Sequence, residues 1–198
     1  MQVPGIGSWL VKREFLTPAK EAVVDGEKRL NYRELNQRVN RLANALLGLG
    51  LQNGDRMAIL SYNRFEFIEG IMAAAKLGLV LVPLNWRLTA AELTFILNDS
   101  GAETLLFDAG LVELVEDVRG QTPLKQFVAF GDKDVPRARA YETLIADQPE
   151  TEPEIDPVPD LDTPHIIMYT AGTTGKPKGA ILSQGASFWN ALNLNLAM

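Results

Sequence analysis

Residues 56–84, "RMAILSYNRFEFIEGIMAAAKLGLVLVPL", hold two short aliphatic runs with a longer segment between them. "RMAIL" and "LVLVP" are five residues each and lack polar alternation. That is how strands buried on both faces of a sheet read. "RFEFIEGIMAAAKLG" between them reads as a helix. Asn63 with Glu66 three residues later has capping-box spacing and is expected to open that helix. Glu66, Glu69 and Lys76 interrupt the apolar window from Phe65 to Leu84. Charges so spaced fit a buried helix plus a strand, not a membrane span. Two parallel strands joined by a helix make a βαβ unit with a right-handed crossover.

The pattern repeats on both sides. Upstream, "EAVVDG" and "KRL" read as a hairpin with Asp25-Gly26 as the turn. In "NYRELNQRVNRLANALLGLG" the apolar stripe Tyr32, Leu35, Val39, Leu42, Ala43 and Leu46 has helical period. Asn31 with Glu34 caps its start, and Gly48 and Gly50 suit its end. Downstream, Thr89 with Glu92 opens the helix "AAELTFILNDSG". The strand "ETLLF", the helical "LVELVEDVRG" and the strand "QFVAF" follow. This alternation predicts the α/β class: a mostly parallel sheet flanked by helices on both faces.

The pattern breaks after Tyr141. "ADQPETEPEIDPVPDLDTP" is acidic and carries Pro149, Pro153, Pro157, Pro159 and Pro164. Prolines remove donors, and the carboxylates are expected to repel one another and stay hydrated. The expected division is a first α/β subdomain over 1–146, an acidic crossing over 147–164, and the start of a second, incomplete subdomain over 165–198. That last part reads as strand, loop and helix. Ser183 caps the helix, and Phe188, Leu192 and Leu196 lie along one side. An apolar helix half-built at the end of a chain needs a partner. The expectation is an N-terminal part of a longer protein.

The 198 residues are 46% hydrophobic with a net charge of −6. An acidic balance argues against nucleic-acid binding and against a polybasic membrane anchor. No cysteine excludes disulfides, thiolate metal sites and a thiol nucleophile, and one histidine leaves little for zinc. "MQVPGIGSWL" is not a signal peptide. A soluble, cytoplasmic protein without a membrane span is expected.

"YTAGTTGKPKGA", residues 169–180, follows the apolar run "IIM" and packs three Thr, three Gly and two Lys into twelve positions. Gly lets backbone N–H groups close around an anion, Thr adds hydroxyl donors, and Lys adds charge suited to phosphate. A helix starting near the loop would add its dipole. A Walker A loop is excluded. Gly172 and Gly175 have only two residues between them, and Pro177 follows Lys176 where Ser or Thr is required. "GLGLQNG", residues 48–54, follows a helix and is read as a helix end and a turn, not a dinucleotide fingerprint. His165 is read as structural. Trp86 is read as packing, and Arg87 as bonding to backbone or a carboxylate. Asp55, Glu66, Glu69 and Glu92 are read as capping or solvated residues, with no carboxylate pair spaced for acid–base or metal work.

"YTAGTTGKPKGA" resembles the phosphate-binding motif of the adenylate-forming superfamily. That superfamily includes acyl- and aryl-CoA synthetases, peptide-synthetase adenylation domains and firefly luciferase. The likeness covers roughly Leu30 to Leu182, and "PLNWRL" looks most like bacterial fatty-acyl-CoA synthetases. The resemblance implies that a carboxylate attacks the α-phosphate of ATP, with Mg2+ present. Acyl-adenylate and pyrophosphate form, and the acyl group passes to the thiol of CoA. It implies ATP-phosphate contacts from Thr170, Gly172, Thr173, Thr174, Gly175, Lys178 and Gly179, with Lys176 at a variable position. No catalytic residue and no metal ligand is assigned within the chain. The family's other working segments lie downstream of its motif, so the 198 residues alone are expected to be inactive. Gln184 stands where many relatives have His. The partners implied are a small-molecule carboxylate, ATP and CoA, with no nucleic acid; a homodimer stays open. Alternatives are an aryl-CoA ligase, a peptide-synthetase adenylation domain, or a truncated non-catalytic nucleotide-binding or interaction protein.

Overall fold

The computed structural model describes residues 4–170 and 176–196, apart from the Asn195 side chain. The chain begins α1 (Ser8–Leu16), β1 (Glu21–Asp25), β2 (Lys28–Asn31), α2 (Tyr32–Gly48), β3 (Arg56–Leu60), α3 (Phe65–Leu77), β4 (Val80–Leu84) and α4 (Ala90–Ser100). It continues β5 (Thr104–Asp108), α5 (Val112–Val118), β6 (Gln126–Phe130), β7 (Arg139–Ala140), α6 (Tyr141–Ala146), β8 (Pro164–Thr170), β9 (Lys178–Ser183) and α7 (Gln184–Leu196). Residues 56–84 form the expected βαβ unit, with β3 and β4 parallel from Arg56↔Val80 to Leu60↔Leu84.

Seven strands make one sheet in the order β7-β6-β5-β3-β4-β8-β9, parallel except for β9. Successive strand residues feed opposite layers, as a pleat requires. Met57, Ile59, Leu81, Leu106, Val128 and Phe130 pack with α2 and α3. Their neighbours Ala58, Leu60, Val82, Leu105, Phe107 and Ala129 pack with α4 and α5. Both faces are therefore dry, and these strands read as unbroken aliphatic runs for that reason. The α/β class with helices on both faces holds.

Two of the three expected capping boxes form. Glu34 N donates to Asn31 Oδ1 at 2.9 Å, and Asn31 N donates to Glu34 Oε2 at 2.8 Å. Thr89 and Glu92 repeat the exchange at the start of α4. The Asn63–Glu66 box does not form. Arg64 is the N-cap of α3, and its guanidinium holds Glu66 at 3.0 Å. The orphan N–H of Phe65 donates instead to Asp25 Oδ2 at 3.2 Å, from a residue forty positions away. Asp25 is free for this because Asp25 pairs with Lys28, so the hairpin turn is Gly26-Glu27. The turn lies one residue later than expected, with Gly26 at φ +57°. Gly50 and Gly54, at φ +90° and +87°, make "GLGLQNG" the expected helix end and turn. Asp55 closes the turn by accepting from Gln52 N at 2.8 Å.

Three charges of α3 are buried, not solvated. Glu69 is fully enclosed; Arg38 Nε donates to it at 2.5 Å and the Tyr141 hydroxyl at 2.6 Å. Burial pushes its carboxyl above the ordinary value, opposed by Arg38 and Tyr141. Glu66 is buried beside Arg64. Lys76 reaches Asn36 Oδ1, Asn40 Oδ1 and Glu152 at 2.8, 2.7 and 2.5 Å.

That last contact ties the acidic crossing to α2 and α3, while most of its residues stay exposed. Asn40 donates to Glu150 O at 2.7 Å, and Asn44 donates to Pro149 O and Thr151 O at 3.0 and 3.1 Å. A Pro-rich stretch is short of donors but keeps every carbonyl, and the asparagines of α2 supply what it lacks. Among the described residues no helix is long and apolar enough to cross a membrane.

Candidate functional site

The candidate loop closes a β-hairpin. β8 and β9 pair antiparallel from Pro164↔Ser183 to Tyr169↔Gly179 and Thr170↔Lys178. The expected strand–loop–helix is corrected, because β9 intervenes before α7. Six extended residues place the N-terminus of α7 about 20 Å from Lys178. A helix dipole acts within its first turn, so this one does not reach the loop.

Of the sequence-derived phosphate contacts, Thr170, Lys178 and Gly179 are described. Gly172, Thr173, Thr174 and Gly175 lie outside the described residues. Thr170 and Lys178 are exposed register partners, so their side chains leave the same face of the hairpin. Among the described residues no carboxylate pairs with Lys176 or Lys178. A hydroxyl beside an uncompensated ammonium suits phosphate oxygens. It does not suit Mg2+, which binds through carboxylates and substrate phosphate. Among the described residues no cluster of His, Cys, Asp or Glu could hold a metal.

Tyr169 and Gly179 occupy the other face. A Cβ on Gly179 would lie 2.7 Å from Ile167 Cγ2 and 3.0 Å from Tyr169 Cζ. The bare glycine thus makes room for the tyrosine ring, a role independent of any ligand. Ile167 and Tyr169 pack against the α4–α5 layer. The Tyr169 hydroxyl donates to Asp99 Oδ2 of α4 at 2.6 Å. Burial first, then Asp99, push this hydroxyl above its ordinary pKa, so it stays a protonated donor. Asp99 carries no motif; only the spatial approach of α4 to β8 reveals it.

His165 sits at the hairpin base, fully buried, with Nε2 3.3 Å from Ile71 O and Nδ1 unpartnered. Burial pushes it below its ordinary pKa, so the ring is neutral at neutral pH and structural, as read. Gln184, at the same base, is also fully buried and donates from Nε2 to Ala75 O at 2.8 Å. It anchors the start of α7 against α3, at the end of β9 opposite the loop. Ser183 Oγ caps α7 by accepting from Ala186 N at 3.2 Å.

A second feature lies at the carboxyl ends of β3 and β4. Tyr62 and Trp86 meet with ring centroids 5.0 Å apart, and Trp86 keeps 39% of its surface exposed. The Arg87 guanidinium lies over the Trp86 ring at 4.9 Å, where a bond to backbone or carboxylate was expected. A planar cation gains by lying over the aromatic face beside it.

The profile of the AMP-binding enzyme family matches residues 13–198. The chain is 39% identical over 194 residues to a feruloyl-CoA synthase of Amycolatopsis sp, covering 98% of this chain and 36% of that protein. It is 35% identical over 191 residues to a long-chain-fatty-acid–CoA ligase of Mycobacterium tuberculosis, covering 93% of this chain and 37% of the relative. The crystal structure of an anthranilate CoA ligase in complex with anthranoyl-AMP superposes with a TM-score of 0.87 at 25% identity. It spans 93% of this chain and 35% of that one. The chain thus covers about a third of the length of these relatives.

Proposed function

Because the chain belongs to the AMP-binding enzyme family, whose members among its relatives include CoA ligases, we propose that it is the N-terminal part of an ATP-dependent acyl-CoA synthetase. The carboxylate oxygen of the acid attacks the α-phosphorus of ATP, and the bond to the bridging oxygen of pyrophosphate breaks. The thiolate of CoA then displaces AMP from the acyl carbon, leaving a thioester. The hairpin tip serves the first step. One observation carries this reading: Thr170 and Lys178 are exposed register partners flanking a glycine-rich segment, and among the described residues no carboxylate pairs with Lys178. Lys178 neutralises charge on the departing pyrophosphate, the Thr170 hydroxyl donates to it, and Gly172, Thr173, Thr174 and Gly175 complete the contacts. Gly179 serves by keeping the strand beside the loop bare. Mg2+ enters with the nucleotide.

The acid proposed is a fatty acid, from the character of "PLNWRL". An aryl acid is the second reading, favoured by the feruloyl-CoA synthase match at 39% against 35% for the fatty-acid ligase. The subdomain division at residues 147–164, a cytoplasmic setting and a homodimeric parent belong to the same proposal.

Calorimetric titration of ATP and pyrophosphate into the 198-residue chain tests it. Lys178→Ala is expected to weaken pyrophosphate binding about tenfold, the loss of one charge-assisted contact worth roughly 1.4 kcal/mol. The chain itself is expected to release no pyrophosphate when given a carboxylate and ATP. Binding indifferent to Lys178→Ala sinks the loop's role. A panel of fatty and aryl acids offered to the full-length enzyme decides the substrate class.

A further inference from the structure

The outer half of the phosphate hairpin is held by side-chain packing more than by a strand ladder: Ile167 and Tyr169 pack against the α4–α5 layer. β8 meets β4 at a single register pair, Leu81↔Ile166. Two residues further along β4 is Pro83, which has no N–H to give to a ladder. Beyond Ile166, among the described residues, 167–170 and 178–181 have only each other as register partners, and β9 is the edge strand. Among the described residues, one side-chain hydrogen bond ties this outer half to the remaining protein: Tyr169 to Asp99, at 2.6 Å.

Both ends of that bond are set up for it. Asp99 lies in the last turn of α4, where the helix dipole disfavours a carboxylate, and no described cation pairs with it. The α4 terminus is itself fixed. Arg56 Nε donates to Ser100 O at 3.2 Å, and Asn98 Nδ2 donates to Gln121 O at 3.0 Å. Across the hairpin, Gly179 leaves the space that the Tyr169 ring fills, since any Cβ there would stand 3.0 Å from Cζ.

We infer that Asp99, Tyr169 and Gly179 form a strut from α4 that sets where Thr170 and Lys178 stand. Asp99 and Tyr169 are then positioning residues for phosphate binding. The inference rests on the reading of the hairpin tip as the pyrophosphate site. It goes further in assigning a role to a residue of another element that touches no phosphate.

The experiment is pyrophosphate titration into the 198-residue chain, unaltered and as Tyr169→Phe, Asp99→Ala, Asp99→Asn, the Tyr169→Phe/Asp99→Ala pair, and Lys178→Ala. Circular dichroism confirms that each is folded at the working temperature. Tyr169→Phe and Asp99→Ala are each expected to weaken binding about three- to tenfold, and the pair by no more than either alone. Asp99→Asn keeps an acceptor and is expected to bind within about twofold of the unaltered chain. The direction for Asp99→Ala is diagnostic. Removing a negative charge near an anion site strengthens binding by electrostatics alone, so weakening requires the positional role. If Lys178→Ala weakens binding while Tyr169→Phe and Asp99→Ala only lower the melting temperature, the strut is overturned and the site stands. If the unaltered chain does not bind pyrophosphate, or Lys178→Ala changes nothing, the proposed function fails and the strut's role falls with it.

Discussion

Lys76 is a cation with only 3% of its side chain exposed, and its partner Glu152 keeps 44%. The asymmetry decides how the pair titrates. Burial dominates at Lys76 and lowers its pKa despite Glu152. At Glu152 burial acts to raise the pKa, but Lys76, Asn40 and Asn36 together outweigh it and the net direction is down. A carboxylate lowered on folding stabilises the fold above its unfolded pKa, and that contribution is lost as pH falls through the folded value. Glu152→Gln is therefore expected to cost about 1–2 kcal/mol at neutral pH, modest because the carboxylate is half-exposed. It should also flatten the fall of stability below 4.5, the ordinary value of the group. Urea unfolding at neutral and acidic pH measures both; parallel stability–pH curves for the two proteins would reject the linkage. The sequence shows each of these residues but not their meeting. Lys76 and Glu152 are 76 positions apart, and composition gives no sign of which acid of the exposed Pro-rich stretch meets a buried lysine.

Helix starts show where local sequence suffices. The Asn31–Glu34 and Thr89–Glu92 boxes were legible because donor and acceptor lie three residues apart on one chain segment. Asn63–Glu66 has the same spacing and fails. Arg64 takes the Glu66 carboxylate, and Asp25 offers the Phe65 N–H an acceptor from a packed hairpin. A competitor forty residues away is invisible to a rule of spacing. Asp25→Ala is accordingly expected to lower stability by about 0.5–2 kcal/mol, while Asn63→Ala stays within roughly 0.5 kcal/mol. Denaturant midpoints compare them directly, and a larger loss at Asn63 would restore the local box. β9 was illegible for a related reason. Its residues are mostly exposed at a sheet edge, so they show neither aliphatic continuity nor clean alternation.

Across the whole molecule the sheet is unevenly held. β3 is flanked by parallel partners on both sides, with Met57 to Leu60 paired to β4 and β5 and covered by both apolar layers. The βαβ periodicity that made this centre readable is the same burial that makes it stable. The outer hairpin has residue types fit for phosphate, which sequence could show. Its attachment through Ile166, Ile167 and the Tyr169 ring and hydroxyl comes from packing, which sequence could not. Opening free energies range from near zero at loosely packed edges to the global value in cores. Native-state hydrogen exchange is therefore expected to split the sheet. Amides of Met57 to Leu60 and Leu105 to Phe107 should exchange only through global unfolding. Those of residues 167–170 and 178–181 should exchange at least about 100-fold faster, a gap of roughly 2.7 kcal/mol or more. Equal protection would mean that the hairpin is locked to the core by the whole sheet. A lower value confined to its outer half would instead show that the hairpin opens locally while the centre of the sheet stays fixed.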